Sequence, residues 1–147
     1  MTARESELKR IEGEFARLVR RVKRAASERA HIVHPDLPPG AYFMLAHLET
    51  AGPVRAADLA EALGHDKGGV SRHVQQLTDL GLIERQPDPE DRRAQLLVLT
   101  EDAHRRLEAM QHERQLRLSE KLSDWTAEDL AAFADQLARY NASLEAD

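Results

Sequence analysis

The sequence predicts a mainly α-helical protein with one small β-hairpin set among the helices. Three observations carry this. Charged residues make up 32% of the 147-residue chain and aromatics only 4%, a composition that favours helices over a β-sandwich. Over most of the chain, apolar residues recur at steps of three and four, the period of an amphipathic helix. After Gly81 that period changes, and two short apolar runs flank a Pro- and acid-rich segment, the pattern of two strands and a loop.

Residues 4–31 read as one long helix. Leu8, Ile11, Phe15, Leu18 and Val22 step by 3, 4, 3 and 4, a heptad-like seam with Arg and Glu on the other faces. Such a seam calls for a helical partner, in this chain or in a second copy. The segment His34-Pro35-Asp36-Leu37-Pro38-Pro39-Gly40 ends the helix, because its prolines cannot continue one. A second helix, about 41–51, turns Tyr42, Leu45 and Leu48 inward and ends at Gly52-Pro53. A short helix over 56–63 is closed by Gly64. A further helix over 67–80 carries Val70, Val74, Leu77 and Leu80 and is closed by Gly81. Helix, tight glycine turn and helix make a helix-turn-helix. Residues 82–86 and 94–99 are the two strands, and 87–93, with two prolines and several acids, is the loop between them. Thr100 suits an N-cap, with Glu101 and Asp102 in the first turn where acids favour the helix dipole. The helix that follows runs to about 122 and is broken at Ser123-Asp124-Trp125. Thr126 caps a last helix, 127–144, with Leu130, Phe133, Leu137 and Tyr140 turned inward.

Composition excludes several functions. There is no cysteine, which removes disulfides, thiolate catalysis, cysteine-bound zinc and thiol redox sensing. No stretch approaches the roughly 18 apolar residues of a membrane span, and the opening MTARESELKR lacks the apolar run of a signal peptide. A cytoplasmic protein that does not engage membranes is expected. Net charge is −5, which on its own argues against a nucleic-acid partner. Its distribution says more: residues 1–30 hold nine Lys/Arg against five Glu, whereas 101–147 hold six Lys/Arg against eleven acids. Ends of opposite sign are compatible with packing together, within or between chains.

A helix-turn-helix followed at once by a two-stranded hairpin is a winged helix. Here the chain resembles the MarR family of regulators along nearly its whole length, most strongly over 64–100. The residues that carry the likeness are Val70-Ser71-Arg72 and Leu77, Gly81-Leu82-Ile83-Glu84-Arg85, Asp88-Pro89-Glu90-Asp91-Arg92-Arg93, and Leu97-Val98-Leu99-Thr100. The family's wing signature is Asp-x-Arg ahead of an apolar strand and Leu-Thr, matched by Asp91, Arg93, Leu99 and Thr100. Ala103 departs from a glycine common soon after Leu-Thr, and Gly68-Gly69 is unusual inside the recognition helix. The resemblance implies a winged helix-turn-helix over 35–100, with the recognition helix at about 67–80 and the wing at about 82–99. It also implies a homodimer formed through helices in 1–34 and 101–147.

The chemistry can be read beside the family. At 100° per residue, Val74 and Leu77 stay near Val70, while Gly68, Arg72, Gln75 and Asp79 fall opposite and Lys67, Ser71 and Gln76 flank them. Arg, Gln, Ser and Lys on one face are the donors that a DNA major groove reads, Arg at guanine and Gln at adenine; the bland reading is a solvated face. Glycine at 68 and 69 costs about 1 kcal/mol each against Ala, and either loosens the helix or lets its backbone approach DNA. Arg92 and Arg93 at the hairpin tip suit the adjacent minor groove. The resemblance ranks Arg93 first, and Asp91 is expected to hold Arg93 through a carboxylate–guanidinium pair. A two-fold dimer implies double-stranded DNA with a pseudo-palindromic site.

Sensing is less legible. The resemblance implies a repressor released by a small-molecule effector, and His31, His34, Tyr42, Phe43 and Trp125 are candidate pocket residues near helix junctions. No cofactor is expected. A zinc-responsive alternative would use His31 and His34, three apart, with His47 or Asp36 as a third ligand. His104 and His112 are about 12 Å apart along one helix, too far for one ion. His65 and His73 lie in the DNA-reading unit, where a charge change on them would make affinity depend on pH; the bland reading, a structural role, is the favoured one. A second alternative is a winged helix used for protein contact, docking through the basic run Arg17, Arg20, Arg21, Lys23 and Arg24. No nucleophile elbow, phosphate-binding glycine loop or metal-hydrolase motif supports an enzyme.

Overall fold

The computed structural model describes residues 1–64 and 66–145. The chain divides into two compact units, Met1–Met110 and Gln111–Asp147.

In the first unit, helix α1 spans Ala3–Val33 and opens on a capping box made by Thr2 and Glu5. Helix α2 spans Pro39–Ala51, two residues earlier than the prolines suggested. Proline lacks only the N–H that a first helical position cannot use, so Pro39 begins this helix rather than delaying it. Strand β1, Val54–Arg55, leads into helix α3, Ala56–Leu63, which Gly64 closes at a left-handed φ of 63°. Helix α4, Lys67–Asp79, is N-capped by Asp66. Gly81, with φ 69°, makes the turn into strand β2, Ile83–Pro87, which is joined to strand β3, Gln95–Leu99.

The sheet has three strands, in the order β1-β3-β2, where the sequence predicted two. β2 and β3 pair antiparallel from Ile83↔Leu99 to Pro87↔Gln95, and β1 adds two residues to the other edge of β3 at Val54↔Leu97 and Arg55↔Leu96. Thr100 joins wing to helix. Its hydroxyl donates to Gly81 O at 2.8 Å and accepts from Ala103 N at 3.2 Å, so one residue closes the hairpin base and caps helix α5, Glu101–Lys121.

One core holds this unit. The buried positions predicted on α2 and α4, Tyr42, Leu45, Leu48, Val70, Val74 and Leu77, join Ala26, Ala30 and Val33 of α1, Leu59 of α3, Leu97 of β3, and Ala103, Leu107 and Met110 of α5. Ala103 is fully buried at its helix start. The Arg106 guanidinium donates to Val33 O at 2.9 Å and to Asp102 at 2.8 Å, tying the start of α5 to the end of α1. The α1 seam does not enter this core: Leu8, Ile11, Leu18 and Val22 are exposed.

In the second unit, Thr126 and Asp129 form a capping box that starts helix α6, Ala127–Leu144. The stripe expected to face inward is not buried. Leu130 is 41% and Phe133 58% exposed, and α6 has no buried residue. Periodicity marks the apolar face of a helix but not what covers it. Trp125 stands edge-on to Phe133 with ring centroids 5.8 Å apart.

Candidate nucleic-acid interface

Helix α4 presents the predicted face. Lys67, Gly68, Ser71, Arg72 and Gln75 are exposed and Gln76 is half-buried, while Val70, Val74 and Leu77 anchor the opposite side. Burial of one apolar stripe fixes the helix rotation, so its polar residues have no other face to occupy. The Asp66 carboxylate accepts from Gly69 N at 2.7 Å, and a Cβ at 69 would stand 2.9 Å from that oxygen. Gly69 is therefore explained by the cap. Gly68 is different: its Cβ would meet only Asp66 Oδ1, at 3.9 Å. Gly68→Ala should stabilise the free protein by about 0.5–1 kcal/mol and weaken its binding to DNA, as read by thermal melts and anisotropy. A variant that gains stability and keeps full affinity would remove any close backbone approach at 68.

Partners on the helix occupy the amides. Gln75 Nε2 donates to Asp79 Oδ1 at 2.8 Å, and Gln76 Oε1 lies 3.0 Å from His73 Nδ1. His73 is half-buried against Gly40 of α2, where a Cβ would stand 2.9 Å from the ring. His65 lies outside the described residues.

The wing loop is held by its own bonds. Asp88 N donates to Ala94 O, Ala94 N to Asp91 O, and Glu90 N to Asp88 Oδ1. Asp91 does hold Arg93, but not as expected: its carboxylate accepts from the Arg93 backbone N–H at 3.0 Å, with no ion pair to the guanidinium among the described residues. A short carboxylate reaches the N–H two residues on more readily than the end of a long flexible side chain. Arg92 and Arg93 are both exposed.

Sequence reasoning missed the anchor of this loop. Asp88 is only 6% exposed, and its Oδ2 accepts from Arg55 Nε at 2.9 Å and Nη2 at 2.6 Å. Strand β1 is thus bolted to the wing loop by a pair 33 residues apart in sequence. The Glu90 N–H and the Arg55 guanidinium hold the Asp88 carboxyl below the usual carboxylate range. A depressed folded value stabilises the fold above the ordinary carboxylate pKa of roughly 4, and the contribution fades as pH falls through the folded value. Asp88→Asn should therefore be less stable than wild type at pH 7, with the gap closing below about pH 4. Urea titrations at both pH values check this, and an unchanged gap would contradict it.

The sensing candidates do not assemble into a metal site. Asp36 N donates to His34 Nδ1 at 3.1 Å, so that nitrogen closes the turn after α1. Among the described residues no group of three His, Cys, Asp or Glu is placed to hold a metal, and His31, His34 and His47 do not converge. Tyr42 is buried beside Phe43, at 5.8 Å between ring centroids, while His31, Phe43 and Trp125 are exposed. A cleft at the wing root is lined by Pro53, Arg55, Asp58, Asp88, Pro89 and Glu90 among others, and by none of the five candidate effector residues.

Known proteins share this arrangement. The family model of the MarR family matches residues 36–94. The chain is 32% identical over 106 residues to the uncharacterized HTH-type transcriptional regulator YxaD of Bacillus subtilis (strain 168), covering 72% of this chain and 74% of that protein. It is also 32% identical over 96 residues to the uncharacterized HTH-type regulator YdgJ of the same organism; that alignment covers 65% of this chain and 58% of YdgJ, so the chain spans less than two thirds of that relative. The solved structure of a MarR family protein from Bacillus stearothermophilus superposes with a TM-score of 0.82 over 99% of each chain at 19% identity, a likeness of fold. With the wing signature, the three-stranded sheet that carries the wing and these relatives in agreement, the chain belongs to the MarR family of winged-helix transcriptional regulators.

Proposed function

We propose that this chain binds a pseudo-palindromic DNA operator as a homodimer and acts as a ligand-responsive repressor in the cytoplasm. The observation that carries the proposal is the single exposed polar face of α4, with Lys67, Ser71, Arg72 and Gln75, in the same unit as a wing whose tip offers Arg92 and Arg93. One face suits a major groove and the other a minor groove. The exposed seam of α1 and the uncovered stripe of α6 support a second copy as partner, with 1–34 and 101–147 as the dimerisation region and 35–100 as the DNA-binding domain. A dimer also presents each arginine twice to one duplex, so the local charge of these faces, rather than the net charge of −5 per chain, meets the DNA. Release by a small molecule rests on the family resemblance, with Phe43 and Trp125 the exposed aromatics among the nominated contacts.

The test is fluorescence anisotropy on duplex DNA from immediately upstream of the coding sequence, at two salt concentrations, with a scrambled duplex as competitor. Binding should select the upstream duplex and fall steeply with salt, in proportion to the phosphates neutralised. Arg93→Ala should lose most affinity on A·T-flanked sites. Light scattering should give twice the 16.6 kDa chain mass. A monomer, or binding indifferent to sequence on every genomic duplex, would defeat the proposal and favour a protein partner.

A further inference from the structure

We infer that Arg55 is a positioning residue for DNA recognition: through its bond to Asp88 it holds the wing loop in a fixed place relative to α4, so that Arg92 and Arg93 meet the minor groove while α4 lies in the major one. The inference rests on the groove-facing roles proposed for α4 and the wing. Its consequence is that Arg55 serves DNA binding without touching DNA.

The hairpin needs such a tether. A two-stranded ribbon is marginally stable by itself and twists more than a wide sheet. Its base is held, because Ile83 and Leu97 are buried and the Thr100 hydroxyl donates to Gly81 O. Beyond Ile83 the rest of β2, residues 84–87, is exposed, and so is Gln95 at the facing end of β3. The next buried residue is Asp88, the only buried charged residue among those described.

Both oxygens of that carboxylate are used. Oδ2 accepts from Arg55 Nε and Nη2, and Oδ1 accepts from Glu90 N at 2.9 Å. Asp91 continues the line: its carbonyl accepts from Ala94 N and its carboxylate from Arg93 N. A short run of bonds therefore leads from Arg55 to the backbone of the wing tip.

The other end of the tether is fixed as well. Arg55 pairs with Leu96 across the sheet and stands at the N-cap of α3, which packs against α4. An N-cap favours Ser, Thr, Asp or Asn, whose side chain accepts from a free helix N–H. Arg55 makes no such bond. The residue at 55 thus suits the wing rather than its own helix. Asp58 on α3 and Asp91 in the loop lie within electrostatic reach of the same guanidinium.

The experiment is anisotropy with the full-length chain, on the genomic duplex that wild type prefers and on a scrambled one, at a temperature where melts show every variant folded. Arg55→Ala should bind the preferred duplex about three- to tenfold more weakly and the scrambled duplex nearly as well as wild type. In an Arg92→Ala/Arg93→Ala background, adding Arg55→Ala should cost less than about twofold more. In an Arg72→Ala background the two losses should multiply. Asp88→Ala gives a test of sign. Removing an acid beside phosphates strengthens binding to every duplex if charge alone matters. If position matters, this variant binds the preferred duplex more weakly than wild type and the scrambled one at least as tightly. An Arg55→Ala loss that persists without the tip arginines would make Arg55 a phosphate contact or a support of the whole fold, and overturns the inference. So does an Asp88→Ala variant that holds the preferred duplex as well as wild type. If replacing both tip arginines costs nothing on that duplex, the wing does not read DNA and this inference falls with that role.

Discussion

Leu77→Ala is expected to cost about 2–5 kcal/mol of folding free energy, the range for truncating a fully buried leucine. Leu77 is 0% exposed, and the helix that carries it packs against α2, α3 and β2. Its carbonyl also accepts from Leu82 N at 3.0 Å across the turn into the wing. Neighbours fixed by three other elements cannot all collapse into the space left behind, so a cavity remains. Against a total stability of about 5–15 kcal/mol for a domain, that is a large share. DNA binding should fall with it, since rotation of α4 about its axis is set by this stripe. Urea denaturation should show a lower midpoint with an unchanged slope. Leu130→Ala is the contrast. Leu130 is 41% exposed on α6, so its truncation should matter mainly at low protein concentration, where a dimer would separate. Similar losses for both variants at high concentration would contradict the assignment of core and uncovered stripe.

How far the fold could be read from the sequence depended on how local the controlling physics was. Helices α3 and α6 fall where predicted, at 56–63 and 127–144, because Gly64 and Thr126 are signals within the chain segment itself. Strand β1 escaped notice since two residues carry no period; its identity comes from pairing with Leu96 and Leu97, some forty residues on. The bond between Arg55 and Asp88 was hidden for the same reason. The α4 face was legible because burying Val70, Val74 and Leu77 settles where Arg72 and Gln75 must point. What those side chains touch was not. Gln75 is engaged by Asp79 and Asp91 by a backbone N–H, contacts decided by ångström-scale reach that residue type and spacing leave open. The apolar stripes of α1 and α6 were found correctly as stripes, yet a sequence period holds no information about the surface opposite.

Arg72→Ala is the second large effect, about 1–3 kcal/mol of specific DNA affinity, or roughly five- to 150-fold at 25 °C. Arg72 is exposed on the side of α4 away from the core, and among the described residues no carboxylate forms an ion pair with it. Arg106 shows the alternative: its guanidinium is committed to Asp102 and Val33 O. If α4 reads DNA as proposed, the guanidinium of Arg72 can do so without first giving up an ion pair among the described residues. Folding stability should change by less than about 0.5 kcal/mol, as for an exposed side chain with no structural partner. Arg72→Lys separates charge from shape. Lysine keeps the positive charge but lacks the planar fork that matches guanine O6 and N7. If Arg72 reads a base, lysine should recover the salt-dependent part of the affinity and leave the guanine preference at one half-site position largely lost. Anisotropy on a duplex series substituted at each position, at two salt concentrations, distinguishes the cases. A loss in Arg72→Ala that is the same on every duplex and fully recovered by lysine would make Arg72 a phosphate contact, leaving base selection to Ser71, Gln75 and Gln76.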